Sequence, residues 1–140
     1  GADGVIDHTQ PLKEQLRGLG YGGVDYIFST AQLSGFKEWA GVLNPFGKIC
    51  CIVSGPEAAA LDVSPLFPNR GMLVFELMFT RPRTGIDLEK QGDILDKVAE
   101  LLDQGVLKST AMHVLPWEQM AVAHEMIESG HTVGKIVLTL

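Results

Sequence analysis

The chain has 140 residues, one domain's worth, and 46% of them are hydrophobic against 20% charged, the balance of a globular protein with a core to bury. A formal charge of −6 with no basic stripe argues against a general nucleic-acid binder, and no apolar run reaches the roughly 20 residues of a membrane helix. The only two cysteines, Cys50 and Cys51, are neighbours that a strand would point to opposite faces, so they read as small buried hydrophobes in a reducing, cytoplasmic setting rather than as metal ligands.

Val5-Ile6 reads as a short apolar strand with Asp7-His8 as its polar end. Pro11 to Arg17 reads as a helix, with Leu12 and Leu16 on one face and Pro11 near the first helical position. Glycines 18, 20, 22 and 23 end it. They follow a helix and precede a strand, the wrong order for a phosphate-binding turn, so they read as a helix-to-strand turn. Val24–Phe28 is the next strand, and Ser29-Thr30 is its polar end and a candidate N-cap. Phe36, Trp39, Ala40 and Leu43 recur at helical spacing before a turn at Asn44-Pro45-Phe46-Gly47.

Lys48–Val53 is nearly all apolar, as expected of a parallel strand buried on both faces, and Ser54-Gly55-Pro56 ends it. Glu57 to Arg70 reads as a loop broken by Pro65 and Pro68, Met72–Phe79 as a further strand, and Thr80–Gly85 as a loop. Between Asp87 and Gln104 the set Leu88, Ile94, Leu95, Val98, Leu101 and Leu102 makes one helical face, with Gly105 just past its end. Thr110–Leu115 is a short strand. Pro116 opens a helix whose face is Met120, Ala123 and Ile127, Gly130 closes it, and Lys135–Leu140 is the last strand.

Alternating strands and helices predict an α/β domain with a parallel sheet, whose ligands lie beyond the carboxyl ends of the strands. Those ends are Asp7-His8, Ser29-Thr30, Ser54-Gly55 and Phe79-Thr80. His113, His124 and His131 form no ligand set by spacing and read as structural. Arg81 and Arg83 read as part of a solvated loop, with an anion-binding role as the alternative, and Asp25 and Asp62 show no catalytic arrangement.

The stretches GADGVIDH, GVDYIFST, NPFGKICCIVSG and the closing HVLPWEQMAVAHEMIESGHTVGKIVLTL follow one another over essentially the whole chain. This ordered set resembles the later half of the medium-chain dehydrogenases/reductases, nearest to their zinc-type alcohol dehydrogenase-like and quinone oxidoreductase branch. The resemblance implies a partial Rossmann domain lacking its first βαβ unit, residues 1–80, followed by the helix-rich C-terminal tail of a catalytic domain, residues 81–140. It implies a C-terminal fragment of an oxidoreductase that passes hydride between NADP(H), or NAD(H), and a small carbonyl, quinone or enone. Such a fragment is expected to be inactive alone, because the glycine-rich pyrophosphate loop is not in it. It holds no replacement for the family's zinc ligands.

Carried over residue by residue, His8, Ser29 and Thr30 match the adenosine side of the cofactor site. Val53, Ser54 and Gly55 match the segment beside the nicotinamide, Phe79 and Thr80 the backbone that meets its carboxamide, and Lys135 a base that reaches the phosphates. Each has a plainer alternative: a helix cap for Ser29-Thr30, a turn for Ser54-Gly55, a polar strand end for His8, and an edge-strand lysine for Lys135. The expected partners are the cofactor and its small substrate, with no nucleic acid or membrane, and a second copy of the chain paired through the exposed edge of Val24–Phe28 or Met72–Phe79. The alternative function is a non-catalytic α/β interaction domain.

Overall fold

Three parallel strands, β1 (Val24–Ser29), β2 (Leu43–Cys51) and β3 (Met72–Phe75), form a sheet in the order β1-β2-β3. The structure is a computed structural model that describes residues 2–30 and 33–140. The chain divides into two compact units, Gly1–Thr80 and Arg81–Leu140. In the first, helices α1 (Leu12–Gly18) and α2 (Phe36–Val42) accompany the sheet.

The core of this unit gathers Leu33, Phe36, Ala40, Leu43, Ile49, Cys51 and Leu66. Ile49 and Cys51 are alternate residues on the middle strand, so the two-residue period aims both at this cluster, and both are 0% exposed. The opposite face carries the rows Tyr26–Lys48–Met72 and Phe28–Cys50–Val74. It is open: Tyr26 is 75% and Phe28 66% exposed. The expectation that residues 48–53 are buried on both faces therefore fails, because among the described residues the core cluster covers only one. The strand also stops at Cys51, two residues short of Val53.

Other departures have local causes. Residues 4–7 form no strand, and Val5 is 89% exposed. An extended segment needs a ladder partner for its backbone groups, and no described strand offers one here. The turn expected at residues 44–47 is drawn into β2 as an irregularity: Val24 pairs with Leu43 and Tyr26 with Lys48, so the four residues bow out between them. Phe46 sits there at φ 66° and donates its N–H to the Asn69 carbonyl at 2.7 Å. The Arg70 guanidinium lies 5.3 Å from its ring centroid, a cation–π contact. Ser29 and Thr30 do not cap α2; Gly35 holds the N-cap position after a 3₁₀ turn at Leu33–Gly35. β3 ends at Phe75 rather than Phe79, and the loop expected from Thr80 is the short helix α3 (Thr80–Thr84).

The glycine run after α1 is a helix stop. Gly20 takes φ 87°, its N–H reaches the Arg17 carbonyl at 3.0 Å, and the Tyr21 N–H reaches Leu16 at 2.9 Å. That bond pair is a Schellman cap, which needs the left-handed conformation glycine adopts freely. Gly105 ends α4 (Lys90–Asp103) the same way, with Gly105 and Val106 donating to Leu102 and Leu101 at 3.0 Å each.

In the second unit β4 (Ala111–Pro116) and β5 (Lys135–Thr139) pair in parallel, with α5 (Met120–Glu128) between them in sequence. The apolar stripe of α4 is present by period but uncovered: Ile94, Leu95, Val98 and Leu102 are exposed. On α5 Ala123 is buried while Met120 and Ile127 are exposed. His124 is exposed on α5 rather than packed, and His113 lies in β4. Arg81 pairs with Asp87 at 2.8 Å.

Truncating Ile49 to Ala should cost about 2–5 kcal/mol, the range for a filled core site, and lower the melting temperature measured by circular dichroism. Burial pushes the Cys51 thiol up, with neighbouring Cys50 adding to it, whereas Cys50 is half-buried on the open face. An alkylating reagent at pH 8 should therefore label Cys50 first and Cys51 only as the protein unfolds, read by mass spectrometry; equal rates would contradict this packing.

Candidate functional site

Parallel pairing aligns the strand ends. The last rung is Ser29–Cys51–Phe75, and it is extended by bonds from the Ile52 N–H to the Ser29 carbonyl (3.2 Å) and from the Glu76 N–H to the Cys51 carbonyl (2.9 Å). The segments leaving this rung carry Thr30, then Val53–Gly55, then Phe79-Thr80. Three separate stretches of sequence thus emerge at one border of the sheet.

At the end of β1 lies a cavity of about 450 Å³, lined by His8, Leu12, Ile27, Phe28, Ser29, Thr30, Ser34, Gly35, Glu38 and Trp39. It brings together His8, Ser29 and Thr30. Ser29 is buried. His8 is placed by a loop rather than by a strand. The Asp7 N–H donates to Gln15 Oε1 at 2.7 Å, and Gln15 Nε2 returns a bond to the Asp7 carbonyl at 2.8 Å. Asp7 Oδ1 accepts from the Thr9 N–H (2.8 Å) and hydroxyl (2.7 Å). The Thr9 hydroxyl and then its N–H hold the Asp7 carboxyl below its ordinary range.

Val53, Ser54, Gly55, Phe79 and Thr80 are not among the residues lining this cavity. Ser54 is exposed and Gly55 half-buried, leading into a 3₁₀ turn at Pro56–Ala60. Glu57 folds back over Gly55 so closely that any side chain at 55 would meet its Oε2, and that buried oxygen has no hydrogen-bond partner among the described residues. Phe79 is exposed in the turn before α3, and Thr80 opens that helix with its N–H on the Leu77 carbonyl at 2.9 Å. Lys135 belongs to the second unit, where it starts β5 and lines a cavity of about 370 Å³ with Gly130, Thr132 and Gly134. A larger and mostly apolar cavity of about 860 Å³, lined by residues including Val63, Leu66, Phe67, Arg70 and Leu73, contains none of the expected site residues.

Residues 1–138 match the family described as zinc-binding dehydrogenase. The chain belongs to the zinc-binding dehydrogenase family. Over its whole length it is 30% identical to a zinc-type alcohol dehydrogenase-like protein of Staphylococcus epidermidis, of which it covers 43%. A solved structure from Rhizobium etli, reported as a candidate zinc-dependent alcohol dehydrogenase, superposes on 100% of the chain with a TM-score of 0.84 at 34% identity, covering 42% of that protein. A NAD-dependent alcohol dehydrogenase superposes on 100% of the chain with a TM-score of 0.75 at 25% identity, covering 38% of that protein. The chain thus spans less than half the length of these relatives, and its fold is the parallel α/β part of the family's Rossmann-type architecture.

The metal in the family's name finds no ligand set here. Among the described residues no three of His, Cys, Asp and Glu come together, and Cys50 and Cys51 point to opposite faces of β2. The strand-end cavity is a different matter: its hydroxyls, imidazole, indole and the Glu38 carboxylate are hydrogen-bonding and stacking groups. Sequence reasoning missed the walls supplied by α2 and the turn before it, Ser34, Gly35, Glu38 and Trp39, because a helical repeat marks which residues pack and says little about which strand end their helix crosses.

The lowered Asp7 carboxyl means that order in the His8 loop is favoured above the ordinary carboxylate range and weakens as pH falls through the lowered value. Replacing Thr9 with Val removes the hydroxyl. It should move the Asp7 titration, followed by carboxyl NMR, back toward the ordinary range; an unmoved titration would show that the hydroxyl does not hold it down.

Proposed function

We propose that this chain supplies the strand-end part of a nicotinamide-cofactor site in an oxidoreductase of the alcohol dehydrogenase or quinone reductase type. The supporting observation is the convergence of His8, Ser29 and Thr30 on one cavity at the carboxyl end of a parallel strand. In this reading those three residues take the adenosine side. Val53, Ser54 and Gly55 flank the nicotinamide ring, the backbone at Phe79 and Thr80 faces its carboxamide, and Lys135 serves the phosphates. When bound, the nicotinamide carries hydride to or from the carbon of a carbonyl, quinone or enone. The chain's own residues orient the cofactor and do not react. The chain's G-x-G-x-x-G, Gly18 to Gly23, follows a helix and precedes a strand, the wrong order for a phosphate cradle, so in this reading the pyrophosphate is held elsewhere and the chain alone binds weakly and is inactive.

A second reading, a non-catalytic interaction domain, draws on the open row of Tyr26, Phe28, Met72 and Val74. Titration with the cofactor separates the two. Trp39 lines the cavity and Trp117 lies in the second unit, so Trp117→Phe leaves Trp39 as the reporter. NADH should quench it saturably in the millimolar range, and Ser34→Phe, which fills the cavity from an exposed position, should weaken binding at least about tenfold, or ~1.4 kcal/mol. Quenching indifferent to Ser34→Phe would place the cofactor elsewhere, and no quenching would favour the interaction domain.

A further inference from the structure

Among the described residues the strand-end cavity has one carboxylate in its wall, Glu38, in the first turn of α2. Its Oε1 accepts the Leu12 N–H at 2.7 Å, across 26 residues of sequence. Helix α1 has Pro11 at its N-cap position and no side-chain cap of its own, so Glu38 satisfies one of the unpaired N–H groups of its first turn. The charge-assisted bond pins the carboxylate in turn. No described residue donates to its second oxygen.

Among the described residues the remaining polar wall is His8, Ser29, Thr30 and Ser34, and no Lys or Arg lines the cavity. A phosphate here would meet a fixed negative charge with no Lys or Arg beside it among the described residues. Trp39 contributes a flat aromatic wall. Its indole is seated so tightly on Gly35 that a Cβ there would come within 2.8 Å of the ring. An aromatic wall beside one anchored acceptor suits a neutral planar group that donates hydrogen bonds.

We propose that Glu38 is a specificity-determining residue that accepts a hydrogen bond from the exocyclic amine of an adenine base, so that the cavity selects a 6-amino purine over a 6-oxo purine. This rests on the cofactor reading above, and it adds a residue and a base preference to it. A 6-amino group offers N–H to the carboxylate. A 6-oxo group turns lone pairs toward it and moves the donor to the ring N1–H, one position away from the C6 substituent that the carboxylate meets in this arrangement.

The test titrates the chain with NADH and with reduced nicotinamide hypoxanthine dinucleotide, which differs in carrying a carbonyl at the purine C6 and a proton on N1. NADH should bind about tenfold more tightly, the size of one charge-assisted hydrogen bond at a solvent-open position. Glu38→Gln keeps a carbonyl acceptor for the Leu12 N–H and offers an NH₂ to the cavity, so the preference should fall to near unity or reverse. Each ratio compares two ligands on one protein sample, so any loss of folded fraction cancels. Equal binding of the two by the unaltered chain, or an unchanged ratio in Glu38→Gln, overturns the role of Glu38 while leaving the cofactor reading standing. No saturable binding of either dinucleotide overturns both.

Discussion

Parallel pairing of β1, β2 and β3 is the constraint from which the rest follows. Parallel strands must all leave the sheet on the same side, and the register that joins Ser29 to Cys51 to Phe75 sets those exits level. The register is held by burial. Ile49 and Cys51 face the core, and a slip of one residue along β2 would turn both out to the open face and bring Cys50 and Lys48 in. The same packing that stabilises the middle strand therefore positions the polar residues at its border.

The cavity depends on a second tier of interactions that are individually modest. Gln15 ties the His8 loop to α1, and Glu38 ties α1 to α2. Both are hydrogen bonds between residues distant in sequence, and each fixes a loop or helix end that hydrophobic packing leaves loose. Bonds of this kind contribute about 0.5–3 kcal/mol each, too little to define a fold but enough to fix a side chain's direction. The sheet provides the strand ends, and these bonds arrange what stands around them.

The strand and helix pattern was legible wherever a period and a stop signal coincided. The helix containing Leu16 ended at its glycine run, and the helix before Gly105 ended in the cap its position implied. Legibility failed where an element depends on a neighbour. Val5-Ile6 has the residues of a strand but no described strand to pair with, and Tyr26 and Phe28 have those of a covered face without a cover. Of the candidate site, Ser29 and Thr30 could be found from the rule that ligands meet strand ends, whereas His8 lines the cavity from a loop and not from the strand expected before it. Glu38 and Trp39 could not, because they reach the cavity from a helix that a 3₁₀ turn at Leu33–Gly35 re-aims after β1.

The most direct measurement is an amide and indole NMR map of the isotopically labelled chain as NADH is added. The account predicts that the largest shifts fall on His8, Thr30, Ser34 and the Trp39 indole, with a second group at Ser54 and Gly55 where β2 ends. Shifts concentrated instead around the apolar cavity of Val63, Phe67 and Leu73 would contradict it, because the ligand would then be choosing apolar surface over the aligned strand ends.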